Sequence, residues 1–446
     1  MRYLSLILLL STVTAHAQLS PILNQLPVQL PVTLPEVRPE LKPLKSAALP
    51  QAELRELRQL RQQLQQQLDP LTRLPERLTL GIPGRQSLTE VQISPGQRAV
   101  EREWLMLLSS TQWQALKPVL SLPHRVRHLA ALDLYQLTLQ VSTEQDQAEQ
   151  LRLLLPAELH LQLDRHYIYQ LQQGAANEAV PSPQTSTASW LPVCNAPVSL
   201  GLVDSAVEPS HPALSSARIQ SRRFLPATMA GSAAHGSAVV SVLVGRYQQL
   251  QPLLPQAQLL VAEAFYQQNP YQHGATLDSL LQALDWLAGQ QVSVINLSLT
   301  GPAHPALQQV VEQLSQKLVL VAAAGNAGPA AAPLYPAAYP QVLAVTAVDQ
   351  HRTLYRWANQ GDYIDFAAPG VKVWTAKAGG ALSQQSGTSL ASPVVAAFAA
   401  CALQQGVPQP QLPDFLRQQA SDLGEPGPDP QFGAGLLEPG KLVTQP

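Results

Sequence analysis

Residues 385–397 read QSGTSLASPVVAA, and this stretch governs the interpretation of the whole chain. The Ser-Gly-Thr triplet before Ser389 predicts a tight turn, and the small apolar residues after it predict a helix. Proline is tolerated in the first turn of a helix and not deeper, so Pro393 predicts a helix start nearby. A serine at such a junction lies at a positive helix end, which suits a nucleophile. Because Gly-Thr-Ser turns are common, a catalytic role also requires a base, an orienting acid and an oxyanion donor.

The composition limits the classes of function. A chain of 446 residues has room for more than one domain and for a sizeable core. Charged residues make up 13% of it, against roughly 25% in average proteins. The formal net charge of -2 argues against electrostatic binding to nucleic acid or to acidic membranes.

The N-terminus indicates export. Arg2 precedes an apolar run at residues 4–10, and residues 15–17 read AHA, a small-residue cleavage site. The run is too short to span a bilayer, and no other stretch is long and apolar enough to do so. We expect residues 1–17 to be a signal peptide and the mature protein to be secreted or periplasmic.

The two cysteines leave two alternatives open. Cys194 and Cys401 are compatible with one disulfide in an oxidising compartment. Cys401 also lies among alanines, where a small buried hydrophobic residue is equally expected.

The first part of the chain divides into three regions by pattern. Residues 18–97 form a Pro/Leu/Gln-rich extension, in which residues 51–68 place leucines on one helical face and residues 69–97 lack a pattern. Residues 98–172 predict a small α+β unit of order βαββαβ, with Thr111 and Thr143 near its two helix starts. Its histidines show no metal-ligand spacing. Residues 173–196 read as an exposed linker.

Residues 197–446 alternate short apolar runs with helical patterns, which is typical of a parallel sheet with helices on both faces. The fold class is therefore α/β, a doubly wound and mostly parallel sheet. Strands are predicted at 198–203, 259–264, 292–297, 318–323 and 342–348. Helices are predicted at 235–243, 276–288, 304–316 and 389–404.

Three further polar residues lie at the ends of these elements, where open α/β sheets place their sites. Asp204 closes the run VSLGLVD and can orient an imidazole, although alone it reads as a turn aspartate. His235 opens a helix after a small-residue loop, where a lone histidine is more often structural. Asn326, in VAAAGNAGP, can donate to an oxyanion or can equally be a left-handed turn residue.

Together, the order Asp204, His235, Asn326, Ser389 resembles that of the subtilisin-like serine peptidases, the subtilases. The resemblance covers about residues 195–442 and implies the subtilisin fold. The motifs that carry it are LVDSAV, HGSAVVSVLVG, VINLSLTG, VAAAGNAGP, YPAAYPQVLAVTAVD, DFAAPG, SGTSLASP and SDLGEPGPDPQFGAG.

The resemblance implies a role for each residue. Ser389 is the implied nucleophile, His235 the base that takes its proton, and Asp204 the acid that fixes the imidazole tautomer. Asn326 is the implied oxyanion donor, together with the backbone N–H of Ser389. Substrate peptide is expected to pair with Ser298, Leu299, Thr300 and Gly301 by β-augmentation and to contact Ala324 and Gly325.

Residues 98–172 resemble the inhibitory propeptide of these enzymes, ending in DRHYIYQLQ. The implied partners are peptide or protein substrates and this propeptide-like region as an intramolecular inhibitor, with the protein expected to be a monomer. No cofactor is expected. Calcium stays an open alternative that the loop at residues 245–251, GRYQQLQ, does not support, because it lacks the Asn and Asp oxygens of the family's calcium loop. Leu334 stands where a glycine often leaves room, which predicts a shallow first specificity pocket.

The leading hypothesis is an exported serine endopeptidase made as an inhibited precursor. The alternative is a catalytically silent peptide-binding domain of the same fold. An esterase with the same triad is less favoured by the substrate-pairing segment. A dinucleotide-dependent dehydrogenase lacks a GxGxxG turn after the first strand.

Overall fold

The computed structural model describes residues 74–81, 87–171, 191–226 and 228–440. The predicted signal peptide, the helix at 51–68 and most of the linker at 173–196 lie outside them. Residues 75–171 and 191–440 form one compact unit. No helix among these residues combines the length and apolar character that a membrane span requires.

The described residues between 75 and 171 are called the first region, and their elements follow one another closely. In chain order they are β1 Arg77–Gly81, β2 Ser87–Ser94, β3 Gln97–Leu108, α1 Ser110–Leu116, β4 His124–Leu129, β5 Leu134–Gln140, α2 Ala148–Arg152, a 3-10 turn Ala157–Leu159 and β6 Asp164–Leu171. From β3 to β6 the order is strand, helix, strand, strand, helix, strand.

The described residues between 191 and 440 are called the second region, in which strands and helices alternate. Its elements are β7 Ser199–Asp204, β8 Arg218–Arg223, α3 Ala234–Val244, β9 Gln258–Glu263, β10 Tyr266–Asn269, β11 Gln272–Thr276, α4 Leu277–Ala288, β12 Val294–Leu297, β13 Leu299–Thr300, α5 Pro305–Leu314, β14 Val319–Ala323, β15 Val342–Val348, β16 Phe366–Pro369, β17 Val373–Lys377, β18 Ala381–Gln385, α6 Thr388–Gln404 and α7 Leu412–Gln419. Two 3-10 turns, Pro212–Leu214 and Gln409–Gln411, complete this set.

The second region is built on a seven-stranded sheet of order β16-β15-β14-β12-β7-β9-β8. Every neighbouring pair in it is parallel. All residues of β14 and β15 are buried, as expected of central parallel strands covered on both faces. The sheet grows in opposite directions from β7, so a topological switch point lies beside this strand.

Helices cover both faces of this sheet, and the α/β prediction is confirmed to that extent. Successive strand residues enter different cores: Leu202 belongs to the core with α3 and α6, and Val203 to the core with α4 and α5. This alternation explains why the strands read as continuous apolar runs.

A second, antiparallel sheet of nine strands joins the two regions. Its main path is β1-β2-β3-β6-β11-β10, with β5 and β4 added at β3 and β13 paired to β6. Strand β3 contributes Trp104 and Met106 to a core of the first region, and Leu105 and Leu107 to the core around α4 and α5. The first region therefore packs against the second through one face of its sheet.

Residues 69–97 were predicted to lack a pattern, and this is wrong for residues 77–81 and 87–94, which form strands. Strands β1 and β2 pair antiparallel, with Arg77 opposite Val91 and Gly81 opposite Ser87. Strand β2 then pairs with β3. The hairpin was hidden because its residues are mostly exposed or half-buried, so they show no clean apolar alternation.

The helix starts in the first region also differ from the prediction. Ser109, not Thr111, caps α1: its Oγ accepts from Gln112 N–H at 3.2 Å, and Gln112 Oε1 accepts from Ser109 N–H at 2.9 Å. This reciprocal pair satisfies two free amides. Thr143 opens a turn rather than a helix, and α2 begins only at Ala148.

The open question about the cysteines is answered by a disulfide between Cys194 and Cys401, whose Cα atoms lie 6.0 Å apart. It ties the chain before β7 to the buried helix α6 across 207 residues of sequence. A loop of this length constrains the unfolded chain strongly.

We predict that reduction of this disulfide lowers the free energy of unfolding by about 2–5 kcal/mol. Guanidinium unfolding of Ser389→Ala, with and without reductant, measures the difference without interference from any proteolysis. A Cys194→Ala/Cys401→Ala variant should show no effect of reductant. Equal stability of the reduced and oxidised chains would contradict the prediction.

Candidate active site

Asp204 ends strand β7 and is fully buried. Its Oδ1 accepts hydrogen bonds from the Ser205 N–H at 2.7 Å and from His235 Nδ1 at 2.8 Å. An acceptor at Nδ1 fixes the proton of the neutral ring on that nitrogen and leaves Nε2 with its lone pair. The carboxylate therefore sets both the orientation and the tautomer of the imidazole.

His235 lies in the first turn of α3 and is 4% exposed. The helix start packs directly on the end of β7: a Cβ at Gly236 would overlap the carbonyl oxygens of Ser205 and Ala206. The Gly236 N–H also donates to Ser205 Oγ at 2.9 Å. Glycine at 236 and the Ser205 hydroxyl thus bring helix and strand close enough for the ring to reach Asp204.

Ser389 is the second residue of α6 and is 2% exposed. The unbonded ring nitrogen is the one that a hydroxyl must approach: His235 Nε2 has no hydrogen-bond partner among the described residues. Catalytic hydrogen bonds are often long in structures without substrate and shorten in the substrate complex. The ring thus has one nitrogen bonded to Asp204 and the other available to a hydroxyl.

Pro393 was predicted in the first turn of the helix, and the structure corrects this. The helix begins at Thr388, so Pro393 lies one turn further on and removes the N–H that the Ser389 carbonyl would accept. Ser298 Oγ takes its place and donates to Ser389 O at 2.9 Å. Ser298 is fully buried, so its side chain supports the helix that carries Ser389.

Ser298 is itself held by two neighbours. Asn296 Nδ2 donates to its Oγ at 2.8 Å, and Ser392 Oγ lies 3.1 Å away. All three side chains are buried. They form a polar bridge from the end of β12 to the first turns of α6.

Asn326 follows β14 and is partly exposed. Its Oδ1 accepts from the Thr388 N–H at 3.1 Å and from Thr388 Oγ1 at 3.0 Å. Both bonds use the carbonyl end of the amide and fix the orientation of the side chain. Thr388 Oγ1 also accepts from the Gly325 N–H at 3.2 Å, which fixes the whole turn.

Strands β11 and β13 both pair with β6, and the space between them that β6 fills is called the groove below. Leu299 and Thr300 lie opposite Leu171 and Gln170, and Gly274 lies opposite Gln170 from the other side. The predicted substrate-pairing segment therefore holds an extended part of the same chain.

Tyr169 of β6 packs against the predicted substrate-pairing segment. It is fully buried, its Oη donates to the Pro302 carbonyl at 2.9 Å, and its ring occupies the space that a Cβ at Gly301 would need. Glycine at 301 is thus required by the ring packed against it.

Ala324 and Gly325 form the turn that leads to Asn326. Gly325 has a φ of 115°, which side-chain-bearing residues rarely adopt. A Cβ there would come within 2.8 Å of Leu334 Cδ1 and 3.0 Å of Asn359 Oδ1. Leu334 therefore lies against Gly325, one of the two residues here that are expected to contact substrate.

His273 is a second buried histidine, close to the pair formed by Asp204 and His235. Burial, followed by repulsion from His235, lowers its pKa to about 4, although Asp204 acts in the opposite direction. It is therefore neutral at ordinary pH and adds no positive charge next to His235.

Sequence reasoning missed Ser205 and Thr388 as supports of Asp204 and Asn326. Both are direct sequence neighbours of a predicted residue, and short hydroxyl side chains at such junctions were the available signal. Within the described ranges, no three His, Cys, Asp or Glu side chains are arranged to hold a metal ion.

Known proteins resemble the second region. The chain is 30% identical over 250 residues to the minor extracellular protease Epr of Bacillus subtilis (strain 168), covering 54% of this chain and 38% of that protein. It is 29% identical over 252 residues to subtilisin E of the same organism, covering 54% and 64%. The match thus spans about two fifths to two thirds of these relatives' length.

A solved structure has a similar fold. The epidermin leader peptide processing serine protease of Staphylococcus aureus matches with a TM-score of 0.59 at 17% identity, covering 75% of this chain and 97% of that one. Residues 195–435 match the model of the Subtilase family. Because this match includes more than half of the chain, and with it Asp204, His235, Asn326 and Ser389, the chain belongs to the subtilase family.

Proposed function

We propose that this protein is a serine endopeptidase that hydrolyses peptide bonds through Asp204, His235 and Ser389. The observation that carries the proposal is the buried 2.8 Å hydrogen bond between His235 Nδ1 and Asp204 Oδ1, in a family whose named relatives are proteases. It commits Nε2 of the ring to proton transfer.

In the proposed reaction, Ser389 Oγ attacks the scissile carbonyl carbon while His235 Nε2 takes the hydroxyl proton. The carbonyl oxygen becomes an oxyanion, stabilised by the Asn326 amide and by the Ser389 backbone N–H, which the first-turn position directs out of the helix. His235 then gives the proton to the leaving amine. Asp204 stabilises the imidazolium without accepting its proton.

Hydrolysis of the acyl-enzyme repeats these roles with water as the nucleophile. His235 takes a proton from water, the oxyanion forms again at the same donors, and Ser389 Oγ leaves with the proton from the ring. Every atom needed for both halves comes from the chain, the substrate and water.

We further propose that the first region inhibits the precursor, with residues 98–172 as its propeptide and residues 173–196 as the maturation region. Its strand β6 lies between β11 and β13, in the position expected of a substrate. Its loop amides also dock on α4: the Ala131 and Leu132 N–H groups donate to Asp285 Oδ1 at 2.8 and 3.1 Å. Cleavage after β6 would free the groove for other peptides.

Export is part of this proposal. A disulfide between Cys194 and Cys401 is typical of oxidising compartments outside the cytoplasm. It supports removal of residues 1–17 as a signal peptide and residence in the periplasm or the medium.

The first prediction from this function is that Ser389→Ala abolishes self-processing. Incubated at neutral to mildly alkaline pH, the wild-type chain should lose its residues up to the maturation region and cleave casein, whereas the variant should stay whole. Intact-mass analysis of both chains measures this. If both stay whole and neither cleaves protein, the proposal fails and a silent peptide-binding domain takes its place.

A second prediction concerns Thr388. Thr388→Val removes the hydroxyl donor to Asn326 Oδ1, so we expect kcat to fall on the order of 10-fold with KM nearly unchanged. That loss is smaller than the roughly 100- to 1,000-fold typical of deleting an oxyanion donor. Steady-state kinetics on a small peptide substrate measures both constants. Thr388→Ser keeps the hydroxyl and should keep kcat, and an equal loss in both variants would argue against this role.

A third prediction concerns the first specificity pocket. With Leu334 against Gly325, the wild type should favour small or medium side chains before the cut. Leu334→Ala should raise kcat/KM for large aromatic residues about 10-fold, because it frees side-chain volume. A peptide panel varied only at that position measures the shift, with the alanine substrate as internal control. Best cleavage of aromatic substrates by the wild type would refute the shallow pocket.

A further inference from the structure

The buried carboxylate of Glu90 lies far from the triad in sequence and has no role in the proposed chemistry. Glu90 belongs to β2, in the extension before the propeptide-like strands, and is fully buried. Arg98 on the adjacent strand donates through Nε to Glu90 Oε2 at 2.8 Å. Hairpin β1–β2 and strand β3 therefore carry a charge pair of their own.

Two side chains of the second region complete the surroundings of this carboxylate. Tyr266 Oη donates to Glu90 Oε1 at 2.6 Å, and Gln268 Nε2 donates to Glu90 Oε2 at 2.7 Å. Both come from β10, where alternate residues face the same side. Burial and the nearby carboxylate raise the pKa of Tyr266 well above its usual range, so its hydroxyl remains a donor.

Apolar packing surrounds these polar contacts. Leu80 and Leu88 of the hairpin pack on a small cluster made of Leu225, Met229 and Tyr266. An ionised carboxylate is buried at acceptable cost only where donors meet it. The second region supplies two hydrogen-bond donors and an apolar cluster. Together they favour an extended segment that carries an acidic side chain and leucines beside it.

This contact uses other groups than the pairing of β6. The groove holds β6 through backbone pairing with β11 and β13, whereas Glu90 is bound by side chains of β10, the strand that pairs with β11 on the side away from β6. Among the described strands, β2 pairs with β1 and β3. The first region is therefore attached to the second both in the groove and beside it.

We propose that Tyr266 and Gln268 form a carboxylate-binding exosite beside the groove, and that its ligand is Glu90 of the chain's own N-terminal extension. The proposal rests on the proposed function in one respect: the exosite strengthens inhibition of the precursor and of the processed enzyme by its released N-terminal fragment. Residues 77–94 thereby act as part of the inhibitor.

The site itself is tested without catalysis, in the full-length Ser389→Ala chain. Tyr266→Phe removes one donor from the second region and leaves the first region unchanged. We expect the amides of residues 87–94 to exchange hydrogen for deuterium about 10-fold faster in this variant, because the extension is held less firmly. Glu90→Gln should have a similar effect. In the double variant, the exchange rate should rise by less than the product of the two single-variant increases.

Inhibition is tested with the processed enzyme and the N-terminal fragment that it releases. Glu90→Gln in the fragment or Tyr266→Phe in the enzyme should raise the inhibition constant about 10-fold relative to the matched wild-type pair. Glu101→Gln is the matched control, since Glu101 forms its ion pair with the exposed Arg77 of the same region.

Unchanged exchange in both variants, or an equal effect of Glu101→Gln, would overturn the exosite. If the wild type shows no peptidase activity, the proposed function has failed, while the exchange measurement still decides whether Tyr266 and Gln268 hold Glu90. If both variants show the expected faster exchange but the inhibition constant is unchanged, the inhibitory role is overturned.

Discussion

The contact between the first turn of α3 and the end of β7 is the constraint on which the candidate site depends. Any side chain at Gly236 would push the helix away from the Ser205 carbonyl and lengthen the bond between His235 and Asp204. Strand β7 is also the strand from which the parallel sheet grows in both directions. The packing of α3 on the end of β7 therefore also sets the tautomer of the His235 imidazole.

A second constraint lies at the start of α6, where a proline and a serine compensate for each other. Pro393 has no N–H to donate to the Ser389 carbonyl, so the helix lacks one hydrogen bond there. The Ser298 hydroxyl, at the end of β12, donates to this carbonyl instead. The backbone of Ser389 is thus bonded to the neighbouring strand end. This arrangement links the position of Ser389 to the sheet rather than to the helix alone.

Sequence patterns predicted the parts of the fold in which burial is continuous. β14 and β15 were predicted almost to the residue because both faces are covered. β8, with sequence RIQSRR, was missed because it is a polar edge strand, and the hairpin at 77–94 because its residues are only half-buried. The four candidate site residues lie at element ends, which the sequence marks well. Thr388 and Ser205 act through contacts that only the folded backbone brings together.

The interface between the two regions combines an apolar core with polar contacts at its edges. Besides Glu90, His166 Nε2 accepts from the Asp278 N–H at 3.0 Å, and Gln136 Nε2 donates to Asp278 Oδ1 at 2.6 Å. Each of these groups can exchange its partner for water, so their net contribution to docking is modest while their geometric demands are strict. Such an interface selects one docked arrangement without making it permanent. The inhibitory role proposed for the first region, which must later leave, requires this balance.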